Sequence, residues 1–222
     1  MKAAIILPHV AVNIVVFTLC DHELKVCLIS GENGSWRLPG GSVRIDESLE
    51  DAAARLLDEN TGVDAAFLQQ LYTFGDPDRD PALRTVSVVY FALVSTAALP
   101  DGSETDSTHT TGWQSVYKLP TLTLDHAEIV EYALTRLRYK IEYSAVAFAL
   151  LPEEFTLREL QCAYEIILDD QRLDKANFRK KLRDAEILEA VPRYKETGGR
   201  PAKLFRFRKD AQLEIKTRRF FP

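Results

Sequence analysis

Trp36-Arg37-Leu38-Pro39-Gly40-Gly41 opens, and Gly62-Val63 closes, the stretch that decides the fold: WRLPGGSVRIDESLEDAAARLLDENTGV, residues 36–63. Its second half carries Leu49, Ala52, Ala53, Leu56 and Leu57 at helical spacing, which predicts an amphipathic helix from Ser48 to Asn60. Asp46 or Ser48 suits the N-cap of that helix, and Gly62 suits its left-handed C-terminal stop. The chemistry-bearing residues sit at fixed offsets: Gly41, then Glu47 after five residues, Arg55 after seven more, followed by Leu57, Glu59, Gly62 and Val63. Carboxylates at i, i+3 and i+4 of a helix share one face and together suit a hard divalent ion; here those positions are Leu56, Glu59 and Asn60.

Outward from this stretch, residues 10–18 and 24–30 are β-branched and apolar around the polar Asp21-His22-Glu23, which predicts strand, turn and strand. Further strands are expected at 66–75, 84–95 and 112–117, with a surface loop from Asp101 to Thr111. Several strands around one early helix predict a mixed α/β/α sandwich and not a doubly wound sheet. The run Ala3-Ala4-Ile5-Ile6-Leu7 after Lys2 resembles the start of a signal peptide, but Pro8, His9 and Asn13 interrupt it and no Ala-x-Ala site follows, so it reads as a first strand. No stretch approaches the roughly 18 uninterrupted apolar residues of a membrane span.

The chain has 222 residues, 46% apolar and 27% charged, an ordinary globular composition with length for two units. Its net charge of −5 by itself argues against nucleic acid. The two ends differ, however: residues 1–145 hold 11 Lys+Arg against 20 Asp+Glu, and residues 146–222 hold 17 against 13. Within 171–219 the balance is 16 basic to 7 acidic residues, a polarity that points to a nucleic-acid-binding tail. The three cysteines, Cys20, Cys27 and Cys162, show no Cys-x-x-Cys spacing, so a reducing cytoplasm is the expected setting and neither a disulfide framework nor a zinc site is implied.

A long helical pattern spans Asp125 to about Tyr143 and is expected to join two units, with domains at 1–124 and 146–222 and a connecting helix at 125–145. After Leu151-Pro152 come a helix near 157–168 opened by Thr156, and a helix at 175–185 opened by Asp174. A strand at Ile187–Val191, a polar loop at 195–200 and the alternating Leu204-Phe205-Arg206-Phe207 complete a winged helix-turn-helix. On the second helix Phe178, Leu182 and Ala185 share one side, while Ala176, Asn177, Arg179, Lys180 and Arg183 share the other. Asn reads adenine, and Arg reads guanine or holds phosphate, so this outward face suits a major groove, whereas a basic run alone is usually just solvated. The expected DNA-binding residues are Lys175, Asn177, Arg179, Lys180 and Arg183 on the helix, with Arg193, Lys195, Arg200 and Lys203 on the wing.

The residue 41–63 constellation resembles the Nudix box, the signature of hydrolases that cleave nucleoside diphosphates linked to another group; seven of nine specified positions match, and Leu38-Pro39-Gly40 precedes them as in the family. The resemblance implies glutamates where this chain has Leu56 and Asn60, leaving Glu59 alone of three clustered carboxylates, and implies that Glu47 braces Arg55. Little or no hydrolysis is therefore expected, with no catalytic residue, no metal ligand set and weak Mg²⁺ binding at most. A pocket without hydrolysis still binds: Arg37, Arg79 and Arg84 as phosphate contacts, Phe74 as a stacking face and Glu59 are the expected effector residues. Tyr72 and Phe74 equally fit a strand's core face, and Asp78-Arg79-Asp80 equally fits a solvated turn.

Taken over residues 10–207, the chain resembles the Nudix-related transcriptional regulators, a Nudix-like effector domain fused to a winged helix. Besides the box, the likeness rests on Leu71-Tyr72-Thr73-Phe74-Gly75-Asp76 with Arg79-Asp80-Pro81, Asp125-His126-Ala127-Glu128-Ile129, Phe155 to Gln161, Leu173-Asp174-Lys175 with Asn177-Phe178-Arg179, and Gly199-Arg200-Pro201-Ala202. It implies an α+β fold, a homodimer on palindromic operator DNA, and repression of genes of NAD biosynthesis or, in other branches, pentose catabolism. The implied effector of the NAD branch is ADP-ribose, no cofactor being required. Two alternatives stand beside this: an active pyrophosphatase on ADP-ribose or nucleotide sugars, and a regulator that senses a phosphorylated sugar.

Overall fold

The computed structural model describes residues 7–31, 34–99, 111–170, 173–208 and 211. The expected strand at the N-terminus, up to residue 6, and the loop over 101–110 lie outside them. The chain divides into two compact units, one of residues 1–17, 25–93 and 100–133, the other of 18–24, 94–99 and 134–222. Among the described residues no helix is long and apolar enough to cross a membrane.

A seven-stranded sheet organises the front of the chain. β1 (His9–Cys20) and β6 (Thr85–Val94) neighbour each other at its centre, with β2 (Glu23–Ser30) and β3 (Trp36–Arg37) on one side and β5 (Phe67–Phe74) on the other. β6 reads TVSVVYFALV and is buried almost end to end, as a strand covered on both faces requires, whereas β5 is an edge strand with no fully buried residue. β4 (Gly40–Ser42) pairs antiparallel with β1, and β7 (Thr111–Ser115) with β2. Asp21 and His22 both adopt positive φ, which closes the β1–β2 link as a two-residue turn.

α1 (Leu49–Thr61) starts at Ser48, whose side chain accepts from the Asp51 N–H, and stops at Gly62 in the left-handed region with φ 64°. Of the two caps the sequence offered, Ser48 is the one used. Ala52, Ala53, Leu56 and Leu57 form its buried face. The short strands β3 and β4 escape period-based reading, because two or three residues carry no periodicity.

α2 (His126–Ile141) follows β7. In the second unit, α3 (Leu157–Leu168) opens with a capping box in which Thr156 and Glu159 satisfy each other's backbone N–H groups. The Arg138 guanidinium of α2 donates to the Ile167 carbonyl at 2.8 Å, in the last turn of α3. α4 (Lys175–Asp184) is capped by Asp174, which accepts from Asn177 N–H at 2.6 Å. Its Phe178 packs edge-on against the buried Tyr164 at 5.4 Å. A three-stranded sheet of β8 (Phe155–Thr156), β10 (Ala202–Phe207) and β9 (Leu188–Lys195) completes the winged helix. β9 runs to Lys195, beyond the end expected at Val191, since Pro192 sits on an edge strand where its missing N–H costs nothing and where the pairing with β10 is interrupted.

Candidate functional site

The box begins on a strand that only glycine can supply. A Cβ on Gly40 would lie 2.4 Å from the Val12 carbonyl oxygen and 2.6 Å from Asn13 Nδ2. One residue on, a Cβ on Gly41 would meet Leu56 Cδ2 at 2.9 Å, so the Leu56 side chain packs over that bare α-carbon. Asn60 Oδ1 accepts from the Gly40 N–H at 3.3 Å. Both positions where the resemblance implies a carboxylate therefore hold the glycine strand in place.

Glu59 is engaged as well. Arg55 Nη1 donates to it at 2.8 Å and Arg44 Nη2 at 3.3 Å. Arg55 in turn holds Glu47 through Nε at 2.8 Å and Nη2 at 2.5 Å. The Arg55 guanidinium pulls the Glu47 carboxyl down to about 2, and the two glutamates raise Arg55 above its ordinary value. Glu47 also accepts from the Arg44 backbone N–H at 2.7 Å. Glu47, Arg55, Glu59 and Arg44 thus form a chain of alternating charge along the box. Among the described residues no group of three or more His, Cys, Asp or Glu side chains converges as a metal centre would. The donor set does not fit a divalent ion either: Leu56 is buried and apolar, Asn60 is neutral and occupied, and Glu59 is held between two guanidinium groups.

The remaining front-half candidates fall in three places. Arg37 is half-buried next to Leu38, and burial lowers its pKa. Arg79, almost fully buried with 4% of its side chain exposed, binds Asp125 through Nε at 2.8 Å and Nη2 at 2.7 Å. Arg84 donates to the carbonyls of Gly75 at 3.0 Å and Thr85 at 3.2 Å. Phe74 stands edge-on to Tyr72 at 5.4 Å and to Tyr132 of α2 at 6.0 Å, and Tyr72 is 53% exposed. That cluster offers an aromatic face, while the guanidinium groups of Arg79 and Arg84 point at protein acceptors.

Arg44, Asp125, His126 and Tyr132 are partners that the sequence reading passed over. Arg44 occupies an unspecified position of the box, and Asp125 lies 46 residues from the arginine it pairs with. His126 Nδ1 accepts from the Leu38 N–H at 3.0 Å, so the first residue of α2 secures the strand-loop leading into the box. Trp36 adds backbone bonds to Thr121 and Thr123 in the same approach to α2.

Burial pushes the His126 imidazole down to about 4, and Arg79 and Arg37 also oppose its protonation while Asp125 favours it. A histidine held neutral when folded but ordinary when unfolded makes stability complete above the unfolded pKa, near 6.5, and erodes it as pH falls toward 4. The protein is expected to be about 2 kcal/mol less stable at pH 5 than at pH 7 in urea titrations, with His126→Gln flattening that difference. An unchanged pH slope in the variant counts against this.

In the second unit, α4 buries Phe178 and Leu182 and exposes Lys175, Asn177, Arg179, Lys180 and Arg183. Five of the nine expected DNA-binding side chains thus lie together along one helix surface. On the wing, Arg193 pairs with Glu154, and Lys195 Nζ pairs with Glu159 at 2.6 Å. Burial raises the Glu159 carboxyl, but the bonds from Lys195 and Thr156 outweigh it and leave the pKa below its ordinary value. Arg200 and Lys203 are exposed near the β9–β10 turn, Lys203 with its ammonium 5.9 Å from the Phe205 ring.

Residues 7–133 match the NUDIX domain family, and residues 147–207 match the NrtR DNA-binding winged helix domain. The chain is 35% identical over 207 residues to the ADPR responsive transcriptional repressor NtrR of Acinetobacter baylyi, covering 90% of this chain and 82% of that one. Among solved structures, NrtR of Shewanella oneidensis in complex with a 27mer DNA superposes with a TM-score of 0.83 at 35% identity, over 95% of this chain and 98% of that chain. The NUDIX domain of the same Shewanella protein, solved with ADP ribose, aligns with a TM-score of 0.52 at 32% identity over 62% of this chain and 93% of that one.

Proposed function

This chain belongs to the family of NUDIX proteins that carry an NrtR DNA-binding winged helix, and on that premise we propose that it is a transcriptional repressor of NAD-metabolism genes, released from its operator by ADP-ribose bound in the NUDIX domain. The observation that carries the DNA half is α4, with its apolar side fixed in the core and Asn177, Arg179, Lys180 and Arg183 presented outward. Such a helix supplies base-edge donors and phosphate anchors from one surface. The effector half is supported by the likeness to a relative named for its response to ADPR and to a NUDIX domain solved with ADP ribose. Two copies bind as a homodimer, each winged helix taking one half-site about one turn of DNA from the other.

Release is a population shift: ADP-ribose favours the state that holds DNA poorly, and operator DNA must weaken ADP-ribose binding by the same factor. Gel shift of the full chain on DNA from its own upstream region tests this, with ADP-ribose titrated into the complex. A retarded band at moderate salt that dissolves with ADP-ribose is the expected result; no band, or a band indifferent to ADP-ribose, defeats the proposal.

Hydrolysis is not part of the proposed role. With Leu56 and Asn60 committed to the glycine strand, no cluster of carboxylates among the described residues is left to activate water. Incubation of the protein with ADP-ribose and Mg²⁺ is expected to release AMP at background rate, and Glu59→Gln to leave that rate unchanged. Metal-dependent release abolished by Glu59→Gln would instead identify a working pyrophosphatase.

A further inference from the structure

We infer that Arg44 stands in for the divalent cation of the NUDIX site, its guanidinium bridging Glu59 to the diphosphate of the bound effector, so that binding requires no metal. This rests on the ADP-ribose reading above and deepens it. A divalent ion in a three-carboxylate site neutralises the carboxylates and ligates the phosphate oxygens at once. Here Glu47 and Glu59 are the carboxylates kept at the specified positions of the box, and Arg44 and Arg55 pair with them.

The two arginines are differently placed. Arg55 directs Nε and Nη2 at Glu47, Nη1 at Glu59, and Nη2 also at the Ser42 carbonyl at 3.3 Å, so its fork is turned into the protein. Arg44 gives Glu59 a single contact at 3.3 Å, and 59% of its side chain is exposed. Its backbone is meanwhile pinned, the N–H bonded to Glu47 Oε1 at 2.7 Å. The root of the side chain is fixed two residues beyond β4 and its head faces solvent beside the last box carboxylate. A guanidinium offers five N–H donors in a planar fork, enough to keep one edge on Glu59 and present another to a phosphate. No neutral side chain at this position could hold the diphosphate beside Glu59 without repulsion.

Isothermal titration of the full-length protein with ADP-ribose, in EDTA and again with excess Mg²⁺, tests this. The wild-type dissociation constant is expected to agree within about twofold between the two conditions, and Arg44→Ala to weaken metal-free binding by about tenfold or more. Arg44→Lys should recover only part of the loss, since a single ammonium does not present two edges. Glu59→Gln removes the carboxylate that orients the Arg44 fork and should weaken binding by a few-fold, equally in EDTA and in Mg²⁺; a metal-bridged site would lose affinity in the Mg²⁺ titration alone. Wild-type binding that appears only with Mg²⁺, or full affinity in Arg44→Ala, overturns the inference alone. Absence of wild-type binding in both conditions overturns the ADP-ribose reading and the inference with it.

Discussion

Arg179→Ala combined with Arg183→Ala is expected to weaken operator binding by about a thousandfold, since each arginine that reads a base or clamps phosphate contributes roughly 1–3 kcal/mol. The two residues lie four apart on α4, one turn above the other, and both are exposed. The helix does not depend on them for its place: Phe178 and Leu182 provide the buried face, and Asp174 provides the cap. The melting temperature should therefore stay within a degree or two while the gel-shift midpoint moves by orders of magnitude. The salt dependence should also flatten, by about 0.9 in log–log slope for each phosphate that the variant no longer neutralises. Arg193→Ala and Lys195→Ala make the control. Their charges are matched by Glu154 and Glu159, so each should cost only a few-fold. Equal losses from wing and helix variants would mean that the wing pairs open on DNA and that α4 has no privileged role.

Arg79→Ala is expected to destabilise the first unit by about 3–5 kcal/mol, which for a chain of this size lowers the melting temperature by roughly 10 °C. The arginine is nearly sealed from solvent, and its removal strands the Asp125 carboxylate, itself 15% exposed, next to the start of α2. Replacing both partners with leucine should recover much of the loss, because the penalty comes from an unpaired buried charge more than from the absent attraction. Denaturant titration of wild type, single and double variants gives the coupling directly. If Arg79→Ala left stability intact and abolished only ADP-ribose binding, the residue would be a ligand contact and the ion pair incidental.

Arg79 also marks where sequence reading met its limit. Between Asp78 and Asp80 it resembles a solvated turn residue or a phosphate hook, and neither reading supplies a partner 46 positions later. Period and spacing report contacts within a few residues; ion pairs between distant loops leave no such trace. For the same reason His126 carried no visible role until Leu38 was brought to it. The box was legible because its identities are tied to one helix and one tight strand: the Ser48 cap and the Gly62 stop follow from local offsets, and the Glu47–Arg55 brace is the one the resemblance to the Nudix box implies. The winged helix was legible from amphipathicity, with Phe178 and Leu182 inward and the basic residues outward as their spacing predicts. Strands of two or three residues, β3, β4 and β8, were beyond reach because their pairing is decided by tertiary neighbours.

The packing of Leu56 against Gly41 and the bond from Gly40 to Asn60 also bear on what single substitutions in the box can do. Placing a glutamate at position 56 alone would bury a charge against a close-fitting strand, a destabilising step. Placing one at position 60 alone exchanges a fitted amide for a longer anion. Each single change therefore costs stability, and Arg44 would still compete for Glu59. Leu56 and Asn60 thus serve as scaffold for the strand that opens the box, and a carboxylate pair could be installed there only together with a repacked glycine strand.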